Sequence, residues 1–241
     1  WKSLRKQNFI SFFVFYILPV GVLSCGWKPF LGQTFYRQIK YFNMQRENYM
    51  LIIWDFDGVI CDSDDIWAEN WRKLLKSEKD IEISEQEKRE LLIGISEKDK
   101  AKRLESHFSG LKIDDAFKKK LNELHDFGMK NLLVLTNGVD KIFADSRFKQ
   151  CIATGGNQYQ NDTKNHTVGI DKYFSKNNCF TADMVEKGKP NPDIFLLAAE
   201  KMQVSASDCI IIEDSLEGIR GGKNAGMKVF AFCGAKANNN P

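Results

Sequence analysis

The chain has no Cys-x-x-Cys pair. Its six cysteines (Cys25, Cys61, Cys151, Cys179, Cys209 and Cys233) are scattered singly through 241 residues, which argues against a zinc framework or a disulfide-stapled fold and suits reduced thiols in a cytoplasmic protein. A basic block is also missing. Lysine and arginine total 35 against 32 aspartates and glutamates, a formal charge of +3, so no nucleic-acid partner is expected. None of the three histidines, His107, His125 and His166, stands at the end of an expected strand, so they read as surface or cap residues rather than catalysts. Long hydrophobic runs are absent apart from Phe9 to Cys25, which follows a basic start and is at the short limit for a spanning helix. That segment reads as a signal or anchor, or as an over-extended start of the reading frame, because the chain begins at Trp1 while Met44 and Met50 lie further on. The second reading is preferred, which sets residues 1–48 apart as an N-terminal extension and leaves no membrane partner; an anchored or exported protein is the alternative.

What is present is an alternation of short apolar runs with helical patterns, at an ordinary hydrophobic content of 43%. This alternation marks an α/β protein with a Rossmann-like parallel sheet flanked by helices. Strands are expected at Met50 to Phe56, Asn131 to Thr136, Cys209 to Glu213 and Met227 to Phe232, with a weaker one near Asn178 to Thr181. Between the first two lie three charged, amphipathic helical patterns, Asp64 to Lys79, Ser84 to Ile93 and Ser96 to Phe108, with no strand among them. They read as a helical cap over residues 64–113, inserted between a first core part, 49–63, and a second, 114–241. A further helix is expected to close at Gly128. Residues 153–169, rich in Gly, Asn, Gln and Thr without periodicity, read as a polar loop insertion.

Four features then fall at or beside carboxyl ends of the expected strands, where open α/β sheets hold ligands. They are Asp55 with Asp57, Thr136 with Asn137 and Gly138, Lys189 in KGKPNPDIF, and Glu213 with Asp214 in IIIEDSLEG. Carboxylates converging in one crevice raise one another's pKa unless a cation neutralises them, and an all-oxygen set suits Mg²⁺. A lysine, a hydroxyl and backbone N–H groups make a cradle for a phosphoryl dianion. Together they describe phosphoryl transfer. Lys187 is a near neighbour of Lys189 and is read as a solvated charge.

DFDGVICDSD, LLVLTNG, KGKPNPDIFLLAAEKM and CIIIEDSLEGIRGGKNAGM, in that order, resemble the four motifs of the haloacid dehalogenase superfamily, in the subgroup with a helical cap inserted after the first motif. The resemblance spans about Met50 to Cys233. It implies Asp55 as nucleophile and Asp57 as general acid and base. It implies Mg²⁺ held by Asp55, the backbone carbonyl of Asp57, Glu213 and Asp214, and phosphoryl oxygens held by Thr136, the backbone of Asn137, and Lys189. Gly58 would let the chain turn sharply beside the phosphate. A small phosphorylated metabolite, of sugar phosphate or phosphoglycolate type, is the implied substrate, for a monomer or dimer.

Two spacings depart from the pattern of the capped relatives. Thr136 follows Asp55 by only 81 positions and precedes Lys189 by 53, so a cap short of one or two helices and an insertion over Ala153 to Gly169 are expected. The resemblance leaves a β-phosphoglucomutase-like activity as rival, although Glu97 stands where that relative carries a cap arginine and Trp67 where it carries a histidine. A catalytically inactive binding protein is the alternative from another class. A receiver-type phosphoacceptor does not fit, because there the acidic pair precedes the phosphorylated aspartate.

Overall fold

The computed structural model describes residues 51–93 and 97–232. The N-terminal extension, Cys25, Cys233 and the Glu97 side chain lie outside what it describes. Five parallel strands, β1 (Leu51–Trp54), β2 (Lys149–Ala153), β3 (Cys179–Phe180), β4 (Cys209–Glu213) and β5 (Lys228–Ala231), form one sheet in the order β3-β2-β1-β4-β5. β1 is central, with Trp54 opposite Ile152 of β2 and Ile212 of β4. Its four residues are fully buried because both faces are covered. On one face Ile52, Trp54, Ile152, Ile210 and Ile212 join Ile142 and Phe143. The opposite face packs Leu51, Ile53, Cys151 and Ile211 against Ile194, Phe195 and Ala198, of helix Asp193–Lys201. The period-two alternation of strand side chains divides these residues between two cores.

Between β1 and β2 run α1 (Asp64–Lys79), α2 (Glu85–Leu91), α3 (Glu97–His107), α4 (Asp115–Asn131) and the short α5 (Val139–Phe143). Ala68, Trp71, Leu74, Leu75, Leu91, Leu92 and Leu104 form a third hydrophobic cluster, and Phe117 and Leu121 of α4 belong to it. The hydrophobic cluster of the cap therefore continues past residue 113. Helix α4 does not close at Gly128, which lies within it. A Cβ there would sit 2.9 Å from Ile66 Cγ2, so the glycine serves close packing of α4 on α1.

The strand expected over Asn131–Thr136 does not form. Leu132 and Val134 are 46% and 70% exposed, which a strand covered on both faces would not allow. Instead the segment returns from the cap along the chain that leaves β1. Leu135 makes an antiparallel bridge to Cys61, and the Thr136 N–H donates to the Ile60 carbonyl at 2.8 Å. The place beside β1 belongs to β2, whose polar start hides it in the sequence. Lys149 Nζ donates to the Met202 carbonyl at 2.8 Å, and Gln150 Oε1 accepts from Trp54 Nε1 at 3.0 Å.

Residues 153–169 likewise are not a loop. They hold helix α6 (Gln158–Thr167), whose N-terminus is closed by a capping box between Asn157 and Gln160. Its buried face carries Asn161, Lys164 and Asn165, so a polar inner side replaces the apolar stripe by which a helix is recognised. Among the described residues the remaining α-helices are α7 (Asp193–Lys201) and α8 (Leu216–Asn224). Among the described residues no helix is long and apolar enough to cross a membrane, and Cys61, Cys151, Cys179 and Cys209 are free and buried.

Candidate active site

Asp55 directly follows β1, and its N–H donates to the Ile212 carbonyl at 3.0 Å, which fixes the start of the loop to β4. The chain then turns tightly: the N–H groups of Ile60 and Cys61 both donate to the Phe56 carbonyl, at 2.9 and 3.2 Å. Gly58 makes this turn with φ of 79°. A Cβ at Gly58 would lie 1.8 Å from Asp214 Oδ2, so glycine is required both by the left-handed backbone and by the carboxylate pressed against it.

Asp214 arrives from the end of β4, beside Asp55. Asp55, Glu213 and Asp214 each place a carboxylate oxygen within 4.8 Å of the others. Lys189, in the segment before α7, inserts its side chain among them. Its Nζ lies 2.5 Å from Asp55 Oδ1 and 2.8 Å from Glu213 Oε1, and 5.2 Å from the Phe195 ring centroid. Glu213 Oε2 accepts from the Ser215 N–H at 2.6 Å and from its hydroxyl at 2.9 Å. Both oxygens of Glu213 are thus engaged, which makes it chiefly the anchor of Lys189 and leaves Asp55 and Asp214 as the better placed carboxylates for a cation.

The electrostatics follow from this crowding. Burial, the Glu213 charge and the Asp57 charge outweigh Lys189 and push Asp55 up to about 7. Burial, then Asp55, Glu213 and Asp64, push Asp214 up to about 9. For Lys189 burial opposes the charge, but Asp55 and Glu213 outweigh it and hold the ammonium above its usual range. One lysine does not balance two buried carboxylates and the half-buried Asp214, and the all-oxygen donors left over match a hard divalent cation.

Asp57 projects from the turn toward the cap. Its Oδ1 accepts from Ser63 Oγ at 2.7 Å and Trp67 Nε1 at 3.3 Å, and its Oδ2 from Lys164 Nζ at 2.5 Å. Burial alone would raise its pKa; Lys164, Ser63 and Trp67 outweigh burial and hold the carboxyl below the usual range.

Asp55, Asp57, Lys189, Glu213 and Asp214 thus gather as the sequence led us to expect, whereas Thr136 and Asn137 lose the strand-end position on which their expected role rested. Thr136 lies in the returning segment and Asn137 is exposed, with Gly138 capping α5. The hydroxyl residue that does end a strand next to Asp55 is Thr154, immediately after β2 and 1% exposed. Its Oγ1 accepts from the Gly156 N–H at 3.2 Å, and a Cβ on Gly155 would meet nothing within 4 Å, so the loop leaves open space beside Gly155. The sequence signal was CIATGG, a short apolar run ended by a hydroxyl and two glycines, 99 positions after Asp55 and 35 before Lys189. Lys164 was missed with the helix that carries it.

A model of the haloacid dehalogenase-like hydrolases matches residues 52–232. The chain is 27% identical over 183 residues, 73% of its length and 82% of the relative's, to a phosphorylated carbohydrates phosphatase of Thermotoga maritima. A shorter likeness, 33% over 94 residues covering 38% of this chain and 40% of the relative, is to the 6-phosphogluconate phosphatase of Escherichia coli. Among solved structures, a haloacid dehalogenase-like protein of unknown function from Agrobacterium tumefaciens superposes with a TM-score of 0.71 at 30% identity, covering 79% of this chain and 85% of that one. A candidate β-phosphoglucomutase from Thermotoga maritima gives 0.63 at 26%, covering 76% and 84%. With the match running from β1 to the end of β5, through the strand ends that assemble the carboxylates and Lys189, the chain belongs to the haloacid dehalogenase-like hydrolase family.

Proposed function

We propose that this chain is a Mg²⁺-dependent phosphomonoester hydrolase for a small phosphorylated metabolite of the sugar phosphate type. The observation that carries the reading is the Asp55 carboxylate at the centre of the sheet, beside Lys189 on one side and Asp214 on the other. The names of the Thermotoga maritima and Escherichia coli relatives support the substrate class.

In this mechanism Asp55 attacks phosphorus and forms an aspartyl phosphate while Asp57 gives its proton to the departing alcohol oxygen. Asp57 then takes a proton from the water that attacks the same phosphorus, which releases Asp55 and inorganic phosphate. Lys189 and Thr154, with the Gly155 N–H of the loop after β2, hold the phosphoryl oxygens. Asp55 and Asp214, with the backbone carbonyl of Asp57 and Glu213 behind them, would hold Mg²⁺, which when bound supplies positive charge to the phosphoryl group and relieves the repulsion among the carboxylates. Asp57 is held ionised in the geometry seen here, ready for the second step. Serving the first requires it to gain a proton as the dianionic phosphoryl group approaches.

The test is a panel of phosphorylated sugars, phosphoglycolate and nucleotides, scored for phosphate release with Mg²⁺ and with EDTA. Release from at least one sugar phosphate, abolished by EDTA, is the expected result; no release from any member removes the proposal. Glucose 6-phosphate formed from β-glucose 1-phosphate without phosphate release would assign a mutase instead. Trp67 speaks for hydrolysis, because an indole N–H donates to Asp57 but cannot accept or carry a proton.

Thr154 and Thr136 separate cleanly in the same assay. Thr154→Ala should raise KM roughly tenfold to a hundredfold, the worth of a hydrogen bond to a charged group. Thr136→Ala should leave kcat/KM within about threefold, as for a position outside the site.

A further inference from the structure

Lys164 is a buried cation that the mechanism above does not use. It sits on the inner face of α6, its side chain 4% exposed, with Nζ 4.9 Å from the Phe56 ring centroid and 2.5 Å from Asp57 Oδ2. The three donors to Asp57 come from different parts of the molecule. Lys164 belongs to a helix of the sheet domain, Ser63 to the segment leaving that domain, and Trp67 to the first cap helix. The two oxygens are therefore unlike. Oδ2 is held by the helix between β2 and β3, while Oδ1 is held by the exit segment and the first cap helix.

We propose that Lys164 is a positioning residue that holds the Asp57 carboxylate through Oδ2 and leaves Oδ1 as the oxygen that meets the leaving group and the attacking water. The proposal rests on the reading of Asp57 as the acid and base of a phosphatase. A long side chain held by α6, which itself packs on α4 through Tyr159 and Asp126, and by the Phe56 ring sets the carboxylate plane, and a small error in that plane is costly, since misplacing a reacting group by about 1 Å can lose roughly a hundredfold in rate.

The experiment uses the full chain with p-nitrophenyl phosphate and Mg²⁺. Lys164→Met keeps the stem and removes the charge. It should lower kcat by roughly tenfold to a hundredfold with KM moving less than about threefold, and Lys164→Arg should recover part of the loss. In an Asp57→Asn background, Lys164→Met should cause no further fall in kcat, because a residue acting through Asp57 has nothing left to orient. A further independent fall there, or a KM rise with kcat unchanged, would overturn the proposal and make Lys164 a substrate ligand. A thermal-unfolding cycle over the same four proteins decides without turnover. Asp57→Asn and Lys164→Met should be non-additive, and additive changes would remove the clamp. If the wild-type chain hydrolyses nothing, the phosphatase reading fails while that cycle still judges the contact.

Discussion

Asp55→Asn should fold and should lose phosphate release from p-nitrophenyl phosphate by about 10⁴-fold or more in kcat. The side chain keeps its shape, but an amide is no nucleophile toward phosphorus, and no neighbouring group is placed to substitute for it. Asp214 is pressed against Gly58, and Glu213 is held by Lys189 and Ser215. Steady-state phosphate release with Mg²⁺ measures the effect; Mg²⁺-dependent turnover near the wild-type rate would end the nucleophile assignment. Stability carries a second signature. Because Asp55 is pushed up to about 7, its ionised form is a cost to the folded state that asparagine lacks. Comparing variant with wild type in EDTA, the variant should gain relative stability as pH rises through neutrality.

Lys189→Met is expected to have the largest effect on the fold. It leaves Asp55 and Glu213, both nearly inaccessible, without the cation that lies within 2.8 Å of each. Removing one partner of a buried ion pair costs about 3–5 kcal/mol. The sign of the pH dependence can be worked out in advance. Asp55 and Asp214 have folded pKa values above their unfolded ones, so the folded form binds more protons and stability falls as pH climbs toward those values. Lys189 lowers both, so its removal should steepen the fall. Lys189 itself is raised above an already high range, and its own contribution stays constant until pH passes the ordinary lysine value. Thermal unfolding in EDTA at about pH 5.5 and about pH 8 should therefore separate the variant from wild type more widely at the higher pH. Mg²⁺ should narrow the gap. Equal destabilisation at both pH values would contradict the electrostatic account.

The parts of this molecule that could be read from its sequence are those where apolar residues carry the structure. β1 and β4 are continuous hydrophobic runs because both faces of the sheet are covered, and the carboxylates that end them announce the site. β2 and α6 were hidden because polar side chains do structural work there. Lys149 and Gln150 open a strand by bonding to backbone and to Trp54, and Asn161, Lys164 and Asn165 line the inner side of a helix. LLVLTNG had the composition of a buried strand and a site-like ending, so it took the assignment that belonged to CIATGG. The two unusual spacings were both counted from Thr136; counted from Thr154, which follows β2, they become 99 and 35 positions.

The pairing of Cys61 with Leu135, and of the Thr136 N–H with the Ile60 carbonyl, bears on how the cap can move. The outgoing and returning segments of chain are stitched side by side, so the two chain connections of the cap form one seam, and the cap meets the sheet domain again where Tyr159 of α6 donates to Asp126 of α4. A swing of the cap about that seam would keep its bonds but would have to part α4 from α6. Twisting or sliding would have to break the stitches. Trp67, a turn beyond the seam, rides on the swinging part while Asp57 stays with the frame.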